Sequence, residues 1–295
     1  MSYLISPGKR FRESLKGDPL LQIVGTPNAY CAIMAKQVGF KALYLSGGAL
    51  SAVTYGIPDL GIVSLDNVLI EVNRITDAVD TPLLVDIDTG FGSAFNIERT
   101  IRQMIKAGAA AIHIEDQISA KRCGHRPHKE LVSTSEMVDR LTVAVLSKTD
   151  PDFFIIARTD ALAVEGIDQA LLRAKAYEAT KVDAIFVEAC HTLEEYQTFV
   201  KALKIPVLAN LTEFGSTPLF TTQDLISVGV KMALYPFAAT RMMNQAALQA
   251  YETIKNKGTQ KELLGSMQTR DALYDFLHYR DYEDRLDSLL KKKIP

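Results

Sequence analysis

A cysteine lies among basic residues in the stretch Lys121-Arg-Cys-Gly-His-Arg-Pro127. Arg122 and His125 are within two positions of Cys123, and the glycine and proline indicate a loop. Positive neighbours stabilise a thiolate and lower the pKa of a thiol from its usual value of about 8.5. Such a thiol can transfer a proton or act as a nucleophile; the alternative is a surface cysteine in a basic loop. We therefore take Cys123, Arg122 and His125 as candidate catalytic residues.

Four acidic residues offer the oxygen ligands that a hard divalent cation prefers. Asp86 and Asp88 end the apolar run that begins at Leu83, and residues two apart on a strand point the same way. Adjacent carboxylates repel each other unless a cation lies between them, which favours Mg²⁺, with Mn²⁺ as a second candidate. Glu115 and Asp59 can complete the set. The alternative is a capping or salt-bridged aspartate pair, and zinc is disfavoured because no paired His or Cys spacing accompanies the acids.

Further polar residues follow other apolar runs: Tyr44, Ser46, Gly47, Gly48, Arg158, Glu188 and Asn210. Glycine lets backbone N–H groups approach an anion closely, and arginine grips a carboxylate through two hydrogen bonds. A plain turn or a ring of salt bridges would explain the same residues. Together with a metal, these groups predict a site for a polycarboxylate. Outside this set, His113 is interpreted as an interior histidine without a ligand role.

The elements that must position these groups form a regular series. Eight short apolar runs are predicted as strands: Gln22–Val24, Ala42–Leu45, Leu83–Ile87, Ala111–Ile114, Phe153–Ala157, Ala184–Val187, Val207–Ala209 and Lys231–Tyr235. Amphipathic helical patterns, such as Ile97–Lys106 and Leu171–Ala179, lie between them. Alternation of this kind predicts an α/β fold, a (β/α)₈ TIM-type barrel, with an open doubly wound sheet as the alternative. A barrel brings the strand ends, and therefore the polar residues, to one face.

Composition argues against two classes of partner. The 295 residues have a net charge of −2 with both signs interspersed, which predicts no nucleic-acid or membrane partner. No apolar run is long enough to span a bilayer and no signal-peptide pattern is present, so we expect a cytoplasmic protein. Three widely spaced cysteines fit a reducing compartment. We assign residues 1–295 to one barrel domain with a helical extension from about Gly258.

Five motifs resemble the isocitrate lyase/phosphoenolpyruvate mutase superfamily, and the resemblance runs from about Ser6 to the end. They are Lys121-Arg-Cys-Gly-His125, Tyr44-Leu-Ser-Gly-Gly48, Val85-Asp-Ile-Asp-Thr-Gly-Phe-Gly92, His113-Ile-Glu-Asp-Gln117 and Ala157-Arg-Thr-Asp160. The resemblance implies metal-dependent cleavage of a carbon–carbon bond in a 2-hydroxy polycarboxylate. It also implies a homotetramer in which a carboxy-terminal helix is exchanged between subunits.

The resemblance also implies roles for individual residues. Mg²⁺ would be held by Asp86 and Asp88, with Asp59 and Glu115 reaching it largely through water. Cys123 would be the general acid, Gly124 would contact substrate, and Tyr44 is the first candidate for the base, with Glu188 or a metal-bound water as alternatives. Phe186 and Leu234 match positions where isocitrate-specific relatives carry bulkier aromatic residues, which implies room for an extra methyl group on the substrate.

Two other functions are consistent with the same residues. One is a superfamily reaction on a different acid, such as isocitrate, dimethylmalate or oxaloacetate. The other is a metabolite-binding barrel without turnover, which the intact acid, metal and loop residues disfavour.

Overall fold

Eight parallel strands close on themselves in chain order in the computed structural model, which describes residues 5–122, 124 and 128–291. They are β1 (Leu21–Gly25), β2 (Ala42–Leu45), β3 (Leu83–Asp86), β4 (Ala111–Glu115), β5 (Phe154–Thr159), β6 (Ala184–Val187), β7 (Val207–Asn210) and β8 (Met232–Tyr235). Each predicted apolar run is one of these strands. The predicted (β/α)₈ barrel is therefore confirmed, and the open doubly wound sheet is wrong.

Helices connect the strands and extend beyond the last one. They are α1 (Pro7–Gly17), α2 (Ala29–Val38), α3 (Gly47–Leu50), α4 (Leu65–Ala78), α5 (Ala94–Lys106), α6 (Thr134–Leu146), α7 (Leu162–Glu165), α8 (Ile167–Ala179), α9 (Leu193–Ala202), α10 (Thr222–Ser227), α11 (Ala238–Lys257), α12 (Arg270–Phe276) and α13 (Tyr279–Lys291). A π-helical turn spans Ser51–Tyr55 and a 3₁₀ turn spans Lys261–Ser266. The two helical patterns named from the sequence lie within α5 and α8, as predicted.

Successive strand residues belong to two different buried layers. Leu43 and Val85 pack with helix residues in the outer layer, whereas Tyr44, Leu84 and Phe154 belong to a separate cluster inside the barrel. This alternation follows from the two-residue period of a strand, and both layers must be apolar because helices cover the sheet. Side chains therefore fill the barrel interior below its carboxyl end.

The register of the sheet aligns the polar strand ends. Asp86 on β3 pairs with His113 on β4, and Glu115 on β4 pairs with Arg158 on β5. Arg158 in turn pairs with Phe186 on β6. Residues paired in this way stand side by side on the same face of the sheet, so the register brings distant parts of the sequence into direct contact.

The described residues divide into two compact units, one up to Thr240 and one from Arg241. The first contains the barrel, and the second contains most of α11 together with α12 and α13. Among the described residues, none of the helices is both long and apolar enough to cross a membrane. Assignment of residues 1–295 to one domain with an extension from about Gly258 stays a prediction.

Helix α1 packs on the barrel near the start of β5. Phe11 is fully buried against Phe154, with ring centroids 5.0 Å apart. Gly8, on the same helix, lies so close to the backbone that a Cβ added there would be 2.6 Å from the carbonyl oxygen of Asp152. The missing side chain of Gly8 is therefore what lets α1 approach the barrel.

We expect Gly8→Ala to lower the free energy of unfolding by about 1–3 kcal/mol, because the new methyl group must push α1 away from backbone that cannot yield. Gly17→Ala is the matched control on the same helix, since a Cβ there meets no atom within 4 Å. Removing the helix penalty of glycine should make Gly17→Ala neutral or stabilising by less than about 1 kcal/mol. Denaturant titration measures both, and equal effects would contradict this account of the packing.

Candidate active site

A polar pocket lies at the carboxyl ends of the strands, where a barrel of this type keeps its chemistry. It is lined by Tyr44, Ser46, Asp59, Asp86, Lys121, Arg122, Gly124, Arg158, Phe186, Glu188, Asn210, Thr212, Leu234, Pro236 and Phe237. Most residues selected from the sequence are in this lining. Gly47, Gly48, Asp88 and Glu115 each contact one of the lining residues. Cys123 and His125 lie outside the described residues.

Asp86 and Asp88 converge, but not for the reason that the sequence predicted. Strand β3 ends at Asp86, and Asp88 has a left-handed backbone with a φ of 48°. Strand alternation therefore does not apply to the pair. The turn instead directs the backbone N–H of Asp88 to Asp86 Oδ1 at 3.1 Å. Both carboxylates approach Gly47, where an added Cβ would be 3.1 Å from Asp86 Oδ2 and 3.4 Å from Asp88 Oδ1.

The two glycines of this pair lie against carboxylates of the site. The N–H of Gly47 donates to Asp86 Oδ2 at 3.0 Å, and Gly48 faces Asp59, whose Oδ2 would be 3.0 Å from an added Cβ. Ser46 caps the short helix α3 by accepting from the N–H of Ala49 at 3.3 Å. Asp86 thus already accepts from the N–H of Gly47, and contact of Gly47 with a substrate anion stays a prediction.

Lys121 is a site residue that the sequence analysis left out of its candidate set. Its ammonium group forms an ion pair with Asp59 and another, at 2.6 Å, with Asp88 Oδ1, and its side chain is only 4% exposed. Burial alone would lower the pKa of Lys121, but Asp88 and Glu115 outweigh it and raise the pKa. Lys121 belongs to the basic loop, but the basic residues of that loop were interpreted only as groups that stabilise the thiolate of Cys123.

Arg158 is surrounded by carboxylates. Its guanidinium group contacts Glu115 at 3.2 Å, Asp160 at 3.0 Å and Glu188 at 3.2 Å, and it lies over the ring of Phe186 at 5.2 Å. Burial opposes the charge, but Asp160 and the other two acids raise the pKa of Arg158. The ring of salt bridges that the sequence allowed as an alternative is thus present. Binding of a substrate carboxylate by Arg158 stays a prediction. Asn210 extends the ring by donating to Glu188 at 3.3 Å.

His113 is buried, as predicted, but it is also a neighbour of the acids. Its Nε2 lies 2.9 Å from the hydroxyl of Tyr44 and 3.6 Å from Asp86 Oδ1. The Nδ1 atom has no hydrogen-bond partner among the described residues. Burial lowers the pKa of His113 to about 4, so the ring is neutral at pH 7. If Nε2 carries the ring proton, it donates to Tyr44, whose hydroxyl then donates to Asp86 Oδ2 at 3.4 Å.

The charged groups separate the acids into two protonation classes. Burial would raise the pKa of Asp86, but His113, which is protonated at the low pH where Asp86 titrates, Lys121 and Arg158 outweigh it and lower the pKa to about 2. Burial and the charge of Asp86 raise the pKa of Asp88 to about 7. Burial also raises the pKa of Tyr44 well above its usual value, and Asp86 adds to that rise. Tyr44 is therefore held as a neutral phenol in this environment.

The donor set fits a divalent cation. Ligand atoms of Asp86, His113 and Glu115 all lie within 4.8 Å of one another, and all three residues are buried. Asp88 adds a further carboxylate beside Asp86. The ring nitrogen of His113 that lies 3.6 Å from Asp86, Nε2, is already hydrogen-bonded to Tyr44. The carboxylate oxygen atoms are therefore the better ligands here, and they suit Mg²⁺ or Mn²⁺ better than zinc. A cation here would also relieve the repulsion that raises the pKa of Asp88.

Comparisons with known proteins agree with this geometry. The sequence matches the family described as phosphoenolpyruvate phosphomutase over residues 11–255. It is 55% identical to the curated 2-methylisocitrate lyase of Escherichia coli (strain K12) over 290 residues, which cover 98% of each chain. A solved 2,3-dimethylmalate lyase superposes with a TM-score of 0.89 at 30% identity, covering 97% of this chain and 96% of that one. Phosphonopyruvate hydrolase, solved with oxalate and Mg²⁺, has a TM-score of 0.84 at 29% identity, covering 98% and 100%.

A substitution at Gly124 tests whether the loop must lie close to the salt-bridge ring around Arg158. A Cβ at Gly124 would lie 2.4 Å from Arg158 Nη2 and 2.6 Å from Glu188 Oε2. We therefore expect Gly124→Ala to displace the loop or the ring and to lower kcat/KM by about 10²-fold, the size of effect that an ångström-scale misplacement produces. Gly17→Ala, far from the pocket, is the control and should keep wild-type kcat/KM. Normal turnover by Gly124→Ala would mean that the loop does not need this close approach.

Proposed function

The chain belongs to the phosphoenolpyruvate mutase/isocitrate lyase superfamily, and from that membership we propose that it cleaves (2S,3R)-2-methylisocitrate to pyruvate and succinate. The observation that supports this substrate is the 55% identity to the curated Escherichia coli 2-methylisocitrate lyase, over 98% of each chain. The reaction breaks a carbon–carbon bond, so the chain is an oxo-acid lyase. Its place is then the methylcitrate cycle of propionate catabolism.

A metal is the first requirement of this chemistry. Asp86 and Asp88 would hold Mg²⁺ directly, with Glu115 and Asp59 placed to reach it through water, and Mn²⁺ would suit the same oxygen ligands. When bound, the cation stabilises negative charge that develops on the substrate oxygen atoms. Lys121 keeps Asp59 and Asp88 in place by pairing with both carboxylates.

Two proton transfers complete the reaction. A base removes the hydroxyl proton of the substrate, a carbonyl forms on the pyruvate half, and the electron pair of the broken bond passes to the succinate half. Cys123 protonates that carbanion and becomes a thiolate, which the positive charges of Arg122 and His125 would stabilise. Tyr44 needs help to be the base because burial and Asp86 favour its neutral form. Glu188 and a metal-bound water are the alternatives, although Arg158 and Asn210 already bind Glu188.

Polar groups of the pocket would bind the substrate carboxylates, and apolar groups would contact its methyl group. Arg158, Ser46 and Asn210, which line the pocket, would recognise the substrate carboxylates, together with Gly47 and Gly48 beside the lining residues Asp86 and Asp59. Phe186 and Leu234 form an apolar wall of that pocket, and both are almost fully buried. A wall of this kind suits the extra methyl group of 2-methylisocitrate, because burying a methyl group is favourable.

A cytoplasmic homotetramer is the proposed working form. Support comes from the unit that begins at Arg241, where large apolar side chains are exposed along its helices. In α11 these include Leu248, Tyr251 and Ile254, and in α13 they include Tyr282, Leu286, Leu289 and Leu290. Their spacing of three to four residues places them on one face of each helix. A second copy of the chain would cover such faces by exchanging helices.

The first experiment compares kcat/KM for 2-methylisocitrate and for isocitrate, with Mg²⁺ and with EDTA, following pyruvate or glyoxylate. We expect a clear preference for 2-methylisocitrate that EDTA abolishes and added Mg²⁺ restores. A preference for isocitrate, or for 2,3-dimethylmalate in a third assay, would keep the lyase and replace the substrate. Stoichiometric binding of these acids without any product would support a binding barrel and contradict the proposed lyase.

The role of Cys123 has its own test. Cys123→Ser should lower kcat by about 10²- to 10⁴-fold with little change in KM, as expected for the loss of a general acid. Cys31→Ser is the matched control, because Cys31 is a buried thiol of α2 that lies outside the pocket lining. Near-normal turnover by Cys123→Ser would assign the proton to another group.

A further inference from the structure

The connection between β4 and α6 carries Cys123 and is fastened at its base by backbone hydrogen bonds. The N–H of Ile118 donates to the carbonyl of Glu130 at 3.0 Å, and the N–H of Val132 donates to Asp116 at 2.9 Å. These bonds close the ends of the connection but do not reach its middle. Something else must hold the backbone close to Cys123 if its thiol is to act at one defined place.

Gln117 holds the residue that precedes Cys123. Its Oε1 accepts from the backbone N–H of Arg122 at 2.9 Å, and its Nε2 donates to the backbone carbonyl of Arg122, also at 2.9 Å. The same Nε2 donates to Glu115 Oε1 at 3.1 Å, so both of its hydrogen atoms are used. Gln117 is only 1% exposed. One carboxamide thus joins the loop backbone to a carboxylate of the proposed metal site.

Lys129 holds the residue that follows Cys123. Its ammonium group donates to the backbone carbonyl of Gly124 at 2.6 Å and to Asp160 Oδ1 at 2.7 Å. The side chain is only 2% exposed. Burying an ammonium group is costly unless it is paired and hydrogen-bonded, so its location demands both partners. Asp160 also binds Arg158 at 3.0 Å. Lys129 therefore connects Gly124 to the salt-bridge ring around Arg158.

We propose that Gln117 and Lys129 are positioning residues that fix the backbone on both sides of Cys123, each by joining it to an active-site carboxylate. Neither residue needs to touch substrate for this purpose. The inference rests on the proposed function, because it assigns the two residues to the proton transfer from Cys123. Such a transfer requires the donor to be held within about 0.5 Å of its productive place, and side chains that support a reacting group provide that precision.

The test uses the full chain with Gln117→Met, which keeps the volume of the side chain but removes its hydrogen bonds, and with Lys129→Met. Arg140→Met is the matched control, because Arg140 donates to the backbone carbonyl of Gln117 at 2.9 Å and to Glu136 at 2.6 Å, and not to Arg122 or Gly124. The first readout is the rate of tryptic cleavage after Lys121 or Arg122 in the metal-free protein, located by mass spectrometry. We expect this rate to rise about 10-fold in both test variants and to stay near wild type in the control.

The second readout separates positioning from a general loss of structure. With Mg²⁺ present, kcat should fall about 10- to 100-fold in the two test variants while KM for 2-methylisocitrate changes less than about threefold. Arg140→Met should keep wild-type kcat. Gln117→Met decides the proposal by itself if Lys129→Met does not fold.

The outcomes distinguish this proposal from the proposed function. If the wild-type chain cleaves no 2-methylisocitrate, the proposed function fails, and the tryptic cleavage still judges whether Gln117 and Lys129 fix the loop. An unchanged cleavage rate in Gln117→Met overturns the proposal whatever the activity. Faster cleavage with an unchanged kcat overturns the positioning role, and an equal loss in Arg140→Met overturns the assignment to these two side chains.

Discussion

The pocket depends on the pairing of buried negative charge with a small number of buried cations. Asp86, Asp88, Glu115, Asp160 and Glu188 are all buried in one small volume. Charges taken out of water are unfavourable unless partners lie within a few ångströms, because the low local dielectric strengthens attraction and repulsion alike. Lys121, Lys129 and Arg158 supply those partners. Gly47, Gly48 and Gly124 leave room for these charged groups, because a Cβ at each would come close to Asp86, Asp59 or Arg158.

The barrel holds the backbone that carries this charge cluster in a fixed arrangement. Strand register places Glu115 beside Arg158 and Asp86 beside His113, so neither contact relies on long flexible side chains finding each other. The apolar layers below and around the strands hold the backbone rigidly, since a closed sheet has no free edge. Rigid strands therefore carry Asp86, Glu115 and Arg158, whereas Asp88, Asp160 and Glu188 follow strand ends. The proposed general acid, Cys123, belongs to the connection between β4 and α6.

The sequence predicts the fold and the positions of most site residues because strand period and polarity are local signals. Asp88 shows where a local rule stops: the strand ends at Asp86, and a left-handed turn, not alternation, brings the second carboxylate in. Lys121, Gln117 and Lys129 were missed as site residues because their partners lie in contacts that only the folded loop creates. His113 was predicted to be buried, but its closeness to Tyr44 depends on register between strands. Cys123 and His125 lie outside the described residues, so their roles stay predictions.

Arg158 and its three carboxylates have an evolutionary consequence. Loss of Arg158 would remove the cation that three buried carboxylates share, so a viable change there needs compensating changes among the acids. Phe186 and Leu234 carry no such obligation, because an apolar residue of another size disturbs only packing. We therefore expect relatives with other substrates to differ first in this apolar wall and to keep the ionic part of the site.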